Sequence, residues 1–254
     1  CAEYRDEAAL AKLAKDLDGE REAQLEQNPR DESTRIFPIS FFDPDKRWTE
    51  KELPDDGFDD TIISVDATFK DKPDSDDVAI AVISTKGPYR YLRKLVYGKL
   101  GFTALVETFK RVCEEFPEAT TKLIEDKANG TALIDTLKKQ IPGLVPIDPQ
   151  GSKVSRAHAC TIEIQTGFFL TPADEDEHPY MPFLRDQFTN FPLGRHDDAV
   201  DAVTQCLNWL RMNGSDVVQQ LIAAKAEEEK ARYDASQNAK APRVNALADM
   251  LKRG

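Results

Sequence analysis

From residue 61 onward the apolar positions follow two rhythms, period two and period three-to-four. Thr61–Ala67, Val78–Ser84 and Tyr89–Tyr97 are short β-branched or aromatic runs, which predict three strands, with Gly87-Pro88 as the tight turn between the second and third. Phe102, Leu105, Val106, Phe109, Val112, Cys113 and Phe116 keep the spacing of one helix face, so a helix is expected over 101–116, stopped by Pro117. A fourth strand is expected over Lys122–Asp126, a helix over Gly130–Gln140 ended by Pro142-Gly143, and a fifth strand over Leu144–Ile147. Ser152–Thr166 reads as a helix that stops at Gly167, Phe168–Thr171 as a short extended piece, and Met181–Asn190 as a helix. A last core helix is expected over Asp197–Met212, with Val200, Val203, Leu207 and Leu210 on one face. The order β-β-β-α-β-α-β-α predicts an α/β domain with a mixed five-stranded sheet: three antiparallel strands, then right-handed parallel crossovers, flanked by helices.

The flanks read differently. Residues 3–27 predict a solvated helix with a thin stripe of Leu10, Leu13 and Leu17, ended by Asn28-Pro29. Residues 28–60 carry Pro29, Pro38, Pro44 and Pro54 and many acids, and read as a linker or an irregular covering segment, whose apolar cluster Ile36-Phe37-Pro38-Ile39-Ser40-Phe41-Phe42 should dock somewhere. Residues 213–254 read as a charged tail, helical or mobile, broken by Pro242. The expected division is therefore 1–60, 61–212 and 213–254, with the middle part as the domain proper.

Composition narrows the class. The chain has 254 residues, 40% of them hydrophobic, enough for one full-sized domain with a real core. No run approaches the roughly 18–20 apolar residues of a membrane span, and the first residues hold no apolar signal core, so no membrane or secreted protein is expected. The chain begins at Cys1 and not Met, which suggests processing or a piece of something longer. The four cysteines, Cys1, Cys113, Cys160 and Cys206, are widely separated, which argues against a zinc site or a disulfide framework. The net charge is −12, but residues 1–60 carry most of it, with 18 acidic against 9 basic side chains. The segment 61–212 is close to balance, 22 against 18, so acidity does not exclude a nucleic-acid partner there, although no basic stripe advertises one.

Acidic residues fall where this topology can gather them. Asp66 ends the first strand in Ser-Val-Asp-Ala-Thr, Glu125 and Asp126 end the fourth in Leu-Ile-Glu-Asp-Lys-Ala-Asn-Gly, and Asp197, Asp198 and Asp201 open the last core helix. If the first and fourth strands are parallel neighbours, Asp66 and Glu125 leave the sheet at one edge, and Asp198 and Asp201 share the helix face that can point back at it. Carboxylates this close repel unless a cation lies between them, and hard oxygen ligands suit Mg²⁺ or Mn²⁺. Simpler roles are open too: Asp197 or Asp198 as a helix cap, Asp201 as a surface residue, His196 as an ordinary surface histidine, and Asp74, Asp76 and Asp77 as solvated loop acids. Strand alternation lets only one of Glu125 and Asp126 face the site.

Asp66 after the first strand, Ile-Glu-Asp-Lys-Ala-Asn-Gly, Gly-Ser-Lys-x-x-Arg, and Phe-Pro-x-Gly-x-His-Asp-Asp-x-x-Asp-Ala stand here in one order over residues 61–212. Together they resemble the nuclease domain of the phage large terminase subunit, a ribonuclease H-like fold. Upstream, Gln24-Leu25-Glu26-Gln27-Asn28-Pro29 with Ile36-Phe37-Pro38 resembles the segment joining that family's ATPase to its nuclease. The resemblance implies a metal-dependent endonuclease that cuts concatemeric viral DNA during genome packaging, in the host cytoplasm. It implies Asp66, Glu125 and Asp198 as catalytic metal ligands, Asp201 as a further ligand, and Asp126 and Asp197 as rivals. Two Mg²⁺ or Mn²⁺ ions about 3.5–4 Å apart would be bridged by Asp66. Lys153 and Arg156, with Lys127, match basic positions that approach DNA phosphates, or else form a solvated helix start. Double-stranded DNA, the portal protein and the small terminase subunit are the implied partners. The ATPase loop Gly-x-x-x-x-Gly-Lys-Ser/Thr does not occur, so no ATP hydrolysis is expected. Another ribonuclease H-like nuclease, such as a junction resolvase, and a non-catalytic packaging module are the alternatives.

Overall fold

The computed structural model describes residues 35–67, 78–127, 129–214 and 216–240. The expected helix over 3–27, the loop acids Asp74, Asp76 and Asp77, and the break at Pro242 lie outside the described residues. The seven strands are β1 (Arg47–Trp48), β2 (Asp60–Asp66), β3 (Val78–Lys86), β4 (Tyr89–Gly98), β5 (Thr121–Glu125), β6 (Leu144–Ile147) and β7 (Phe169–Pro172). The helices are α1 (Phe102–Glu115), α2 (Asn129–Leu137), α3 (Lys153–Gln165), α4 (Met181–Asn190), α5 (Asp198–Asn213) and α6 (Asp216–Lys240). All the strands join one mixed sheet in the order β1-β7-β4-β3-β2-β5-β6.

The antiparallel meander β2-β3-β4 is present, with Gly87 at a positive φ of 53° in its second turn. Lys94 pairs with Val82 but Leu92 with Ile83, so Arg93 is an extra residue that bulges β4. Crossovers then lay β5 parallel to β2 and β6 parallel to β5. β2 and β3 are buried along nearly their whole length because they sit mid-sheet with a layer on each face, which is why their sequences are continuous apolar runs and not alternations.

Five strands were expected and seven are found. The extended piece at Phe168–Thr171 is β7, which pairs parallel with β4 through Arg90↔Phe169 and Tyr91↔Leu170. β1 comes from the proline-rich segment and pairs parallel with β7 through Arg47↔Thr171 and Trp48↔Pro172. Strands of two and four residues are too short to show a period, so tertiary pairing alone defines them.

One face of the sheet carries Ile63, Val65, Ile80, Val82 and Ile124 against α1 and α2. The opposite face carries Ile62, Ala79, Ile83 and Leu123 against α3, α4 and α5. Ile36, Phe37, Phe41 and Phe42 are buried in this second core, and Phe37 lies 4.8 Å from the Phe188 ring of α4. The apolar cluster before the first core strand thus docks on the domain. The helix expected over Gly130–Gln140 is shorter, ending at Leu137 in turns that reach Gln140. Cys113, Cys160 and Cys206 are free thiols on helices, the last two fully buried. Among the described residues no helix is long and apolar enough to cross a membrane.

Candidate active site

β2 and β5 run parallel with Val65 opposite Ile124, so Asp66 and Glu125 are the next residues on neighbouring strands, about 4.8 Å apart along the hydrogen-bonding direction. Side chains alternate, so Asp66 shares the face of Ile62 and Ser64, and Glu125 that of Leu123. This is the face that α5 covers. Asp66 is only 5% exposed. Asp126 turns the other way: its Oδ1 accepts a hydrogen bond of 2.7 Å from the Thr131 hydroxyl on α2. Gly130 closes the same motif, and a Cβ there would lie 1.8 Å from the Glu125 carbonyl oxygen. Glycine is required for α2 to approach the strand end that carries Glu125.

The start of α5 brings the second group. Asp198 and Asp201 are 3% and 6% exposed. Asp197 occupies the N-cap position, but its side chain makes no capping bond. The Ala199 amide is instead satisfied by Oε1 of buried Gln187, 2.8 Å away on α4. One turn beyond Asp201, the Gln205 amide donates to the Ser64 hydroxyl at 3.0 Å and the Val65 carbonyl at 3.3 Å. That side chain pins α5 to the end of β2 and sets how the helix acids stand over the strand acids. Glu125 and Asp201 line one cavity of about 460 Å³.

The basic residues singled out in the sequence sit on these acids. Lys153 Nζ lies 2.5 Å from Asp201 Oδ2 and 2.8 Å from Asp197 Oδ1. Arg156 reaches Asp201 Oδ1 at 3.2 Å, and Lys127 reaches Glu125 Oε1 at 2.9 Å. The turn at Gly151, with φ of 77°, and the Ser152 N-cap, whose hydroxyl accepts the Ser155 amide at 3.1 Å, start α3 so that Lys153 and Arg156 fall on one side, three residues apart. Burial pushes the Asp201 carboxyl above its ordinary value, against the pull of Lys153. Burial acts to lower the Lys153 ammonium, but Asp201 and Asp197 hold it above its usual range. Three cations thus lie against Glu125, Asp197 and Asp201.

The donor set is one a hard divalent cation takes: carboxylate oxygens from two strand ends and one helix start, with no sulfur or imidazole among them. His196 stands 3.9 Å from Asp198 Oδ2, beside the acids. Among the described residues these acids do not bring three ligand atoms within 4.8 Å of one another; a three-residue group that close lies elsewhere. Glu50, Glu177 and His178, with ligand atoms within 4.8 Å of one another, sit beyond the ends of β1 and β7. They are far apart in sequence and carry no motif that sequence reading could have found, and two of the three are exposed.

Residues 63–210 match the model of the terminase RNaseH-like domain family. That span contains every acid of the cluster. No curated protein sequence matches. Among solved structures, the chain is similar to the large terminase from the thermophilic bacteriophage D6E, at 10% identity and a TM-score of 0.51, over 68% of this chain and 44% of that one. The same protein in complex with ADP matches at 9% identity and a TM-score of 0.51, over 80% of this chain and 52% of that one. The large terminase nuclease from the thermophilic phage G20c with bound magnesium matches at 18% identity and a TM-score of 0.45, over 59% of this chain and 82% of that one. At these identities the D6E likeness is one of fold, ribonuclease H-like with a mixed sheet between helical layers. The chain spans about half the length of the whole large terminases it matches.

Proposed function

The chain belongs to the terminase RNaseH-like domain family, and on that footing we propose that it is a metal-dependent endodeoxyribonuclease that cuts concatemeric viral DNA during phage genome packaging. The observation that carries this reading is the register of Asp66 and Glu125 on parallel strands, with α5 packed on that face and Asp201 lining the same cavity as Glu125. Several acids drawn to one strand edge and one helix start form a donor set of hard oxygens, which suits a divalent cation.

Asp66, Glu125 and Asp198 would hold Mg²⁺ or Mn²⁺, with Asp201 as a further ligand. Bound ions of this kind lower the pKa of a water nucleophile and stabilise the leaving oxygen of an in-line displacement. The chain's own part is to hold these carboxylates fixed. β2 and β5 set the spacing of Asp66 and Glu125, and Gln205 and Gln187 fix the position of α5. Asp126, bonded to Thr131, belongs to the scaffold and not to the ligand set. Lys127, Lys153 and Arg156 lie at the acids, where they would meet the phosphate oxygens of a bound strand. The partners of this reading are double-stranded DNA, the portal protein and the small terminase subunit, and its place is the host cytoplasm.

The test is a plasmid-nicking assay with Mg²⁺, with Mn²⁺ and with EDTA, on wild type and Asp66→Ala. Metal-dependent nicking by wild type alone is expected. Absence of nicking by wild type with either ion, or equal nicking by the variant, refutes the reading. Preference for branched over linear DNA would favour a junction resolvase in its place.

A further inference from the structure

The cavity that holds Glu125 and Asp201 on its wall extends away from the acids between β6, α3 and the second half of α5. Its far wall is apolar and flat. Trp209 is packed against the core on one side and lines the cavity on the other, with Pro149 and Met212 beside it. Met212 is 79% exposed at the mouth, an unusual place for a large apolar side chain. Amides converge on the same space from Gln150 and Asn208, while Arg156 and Arg211 add positive charge.

Resting on the nuclease reading, we propose that this cavity is a subsite for one unpaired nucleotide of the substrate strand, next to the phosphate held at the acids, with its base against Trp209. Three observations favour that occupant over a segment of protein. The cavity opens directly onto Glu125 and Asp201, so whatever fills it is continuous with the group being cut. About 460 Å³ is in the range of pockets for ligands of nucleotide size and too small for a duplex. Arg156 and Arg211 supply positive charge for a phosphate, and the indole and prolyl faces supply a stacking surface that serves any base. Cutting at this site therefore draws a nucleotide out of the stack, which is easiest where the strand is already unpaired.

Trp48, 2% exposed in β1, is remote in the sheet order, so quenching of tryptophan emission by an oligonucleotide reports on Trp209. A short single-stranded oligonucleotide, titrated in EDTA at low salt, should quench wild type. The same oligonucleotide built of abasic units should bind more weakly and not quench. Trp209→Leu should lose affinity for the base-containing strand by about fivefold to a hundredfold. Trp209→Phe, which keeps a flat ring, should bind as wild type in an anisotropy assay with labelled strand. Met212→Glu, an exposed change that leaves the fold intact, should weaken binding as well, so the outcome does not depend on Trp209→Leu folding. With Mg²⁺, wild type should cut a duplex carrying an unpaired bubble faster than a fully paired one, and Trp209→Leu should lose that preference. Wild-type single-strand affinity in both Trp209→Leu and Met212→Glu overturns the subsite, as does equal quenching by the abasic strand. Failure of wild type to cut any substrate overturns the nuclease reading instead, and the binding arm in EDTA reads the subsite independently of that result.

Discussion

Glu163 lies on α3, 2% exposed, between the sheet and α5. Its Oε2 takes no hydrogen bond from the protein. Burial pushes its carboxyl up from an ordinary 4.5 to about 7, against the favourable charges of Arg90 on β4 and Arg211 on α5. A carboxyl whose folded pKa is raised binds its proton more tightly in the native state, so between pH 4.5 and 7 the folded chain carries more protons than the unfolded one. Stability is then greatest at the acid end of that window and falls as pH rises through it. At 1.36 kcal/mol per pK unit, the loss is about 3 kcal/mol by pH 8. That corresponds to roughly 6–12 °C in Tm for a domain of this size. The perturbation is Glu163→Gln, which cannot ionise. The assay is urea unfolding in EDTA at pH 5, 6, 7 and 8 for both proteins. The amide introduces its own constant offset, but this cancels when each protein is compared with itself across pH. Asp201, whose carboxyl is also raised by burial, contributes a slope of the same sign in both proteins and cancels too. Wild type should lose about 3 kcal/mol more than Glu163→Gln between pH 5 and 8. Parallel pH dependences would show that Glu163 is ionised in the native state at acid pH and that Arg90 compensates its burial.

Asp66→Ala and Asp198→Ala should each abolish metal-dependent nicking while far-UV circular dichroism stays that of wild type; cutting at the wild-type rate by either would show the site is misassigned. Mn²⁺ should raise the Tm of wild type, by the equivalent of roughly 2–3 kcal/mol at about a hundredfold excess over Kd, and the double variant Asp66→Ala/Asp198→Ala should lose that shift. An equal shift in both would place the ion elsewhere, with Glu50, Glu177 and His178 the next position to mutate. Gly130→Ala should cost roughly 1–3 kcal/mol in urea unfolding and depress nicking as well, because the added methyl must displace the Glu125 strand end; wild-type stability would mean α2 can move away freely. Phe37→Ala should cost about 3–5 kcal/mol, since its ring is fully buried against Phe188 and Phe191, and a change under about 1 kcal/mol would show that the segment before residue 60 adds little to the fold.

The regular elements were legible because each long one carries an unmistakable period. The β-branched run at Thr61–Ala67 became a strand ending at Asp66, and β6 and α4 have the bounds the pattern suggested. The acids stood out in the sequence because Asp66 and Glu125 close apolar strand runs and Asp198 and Asp201 open a helix. What pattern could not supply was partner choice. Lys153 and Arg156 read as groups turned to DNA or solvent, but only the folding of α3 against α5 shows them on Asp201, 45 to 48 residues away in sequence. Asp197 read as a possible cap, yet the capping group is Gln187 from another helix, and no local motif announces a cap supplied through space. The same holds for Gln205, an ordinary polar residue in the helix pattern until its hydrogen bonds to Ser64 and Val65 are seen. β7 was read only as a short extended piece and β1 not at all, because two to four residues in a sheet acquire their identity from their neighbours.

The direction of the strands gives the site a polarity. β3 alone runs against the other six, so the C-terminal ends of β1, β7, β4, β2, β5 and β6 all meet one edge. The acids of the site stand mid-edge, at β2 and β5. On the β7 side the edge continues into Asp174-Glu175-Asp176-Glu177, with Glu50 close to Glu177. On the β6 side it continues into Lys153, Arg156 and Arg211, around the cavity lined by Trp209. Exposed charges act over about 10 Å at ordinary ionic strength, so a polyanion is repelled over the first stretch and attracted over the second. The acids themselves cannot attract a phosphate until cations offset their charge. On the proposed nuclease reading, a nucleic-acid strand would therefore enter along α3 and β6 and end its approach at Asp66. Lys153 and Arg156, the basic residues held on Asp201, lie on that same side.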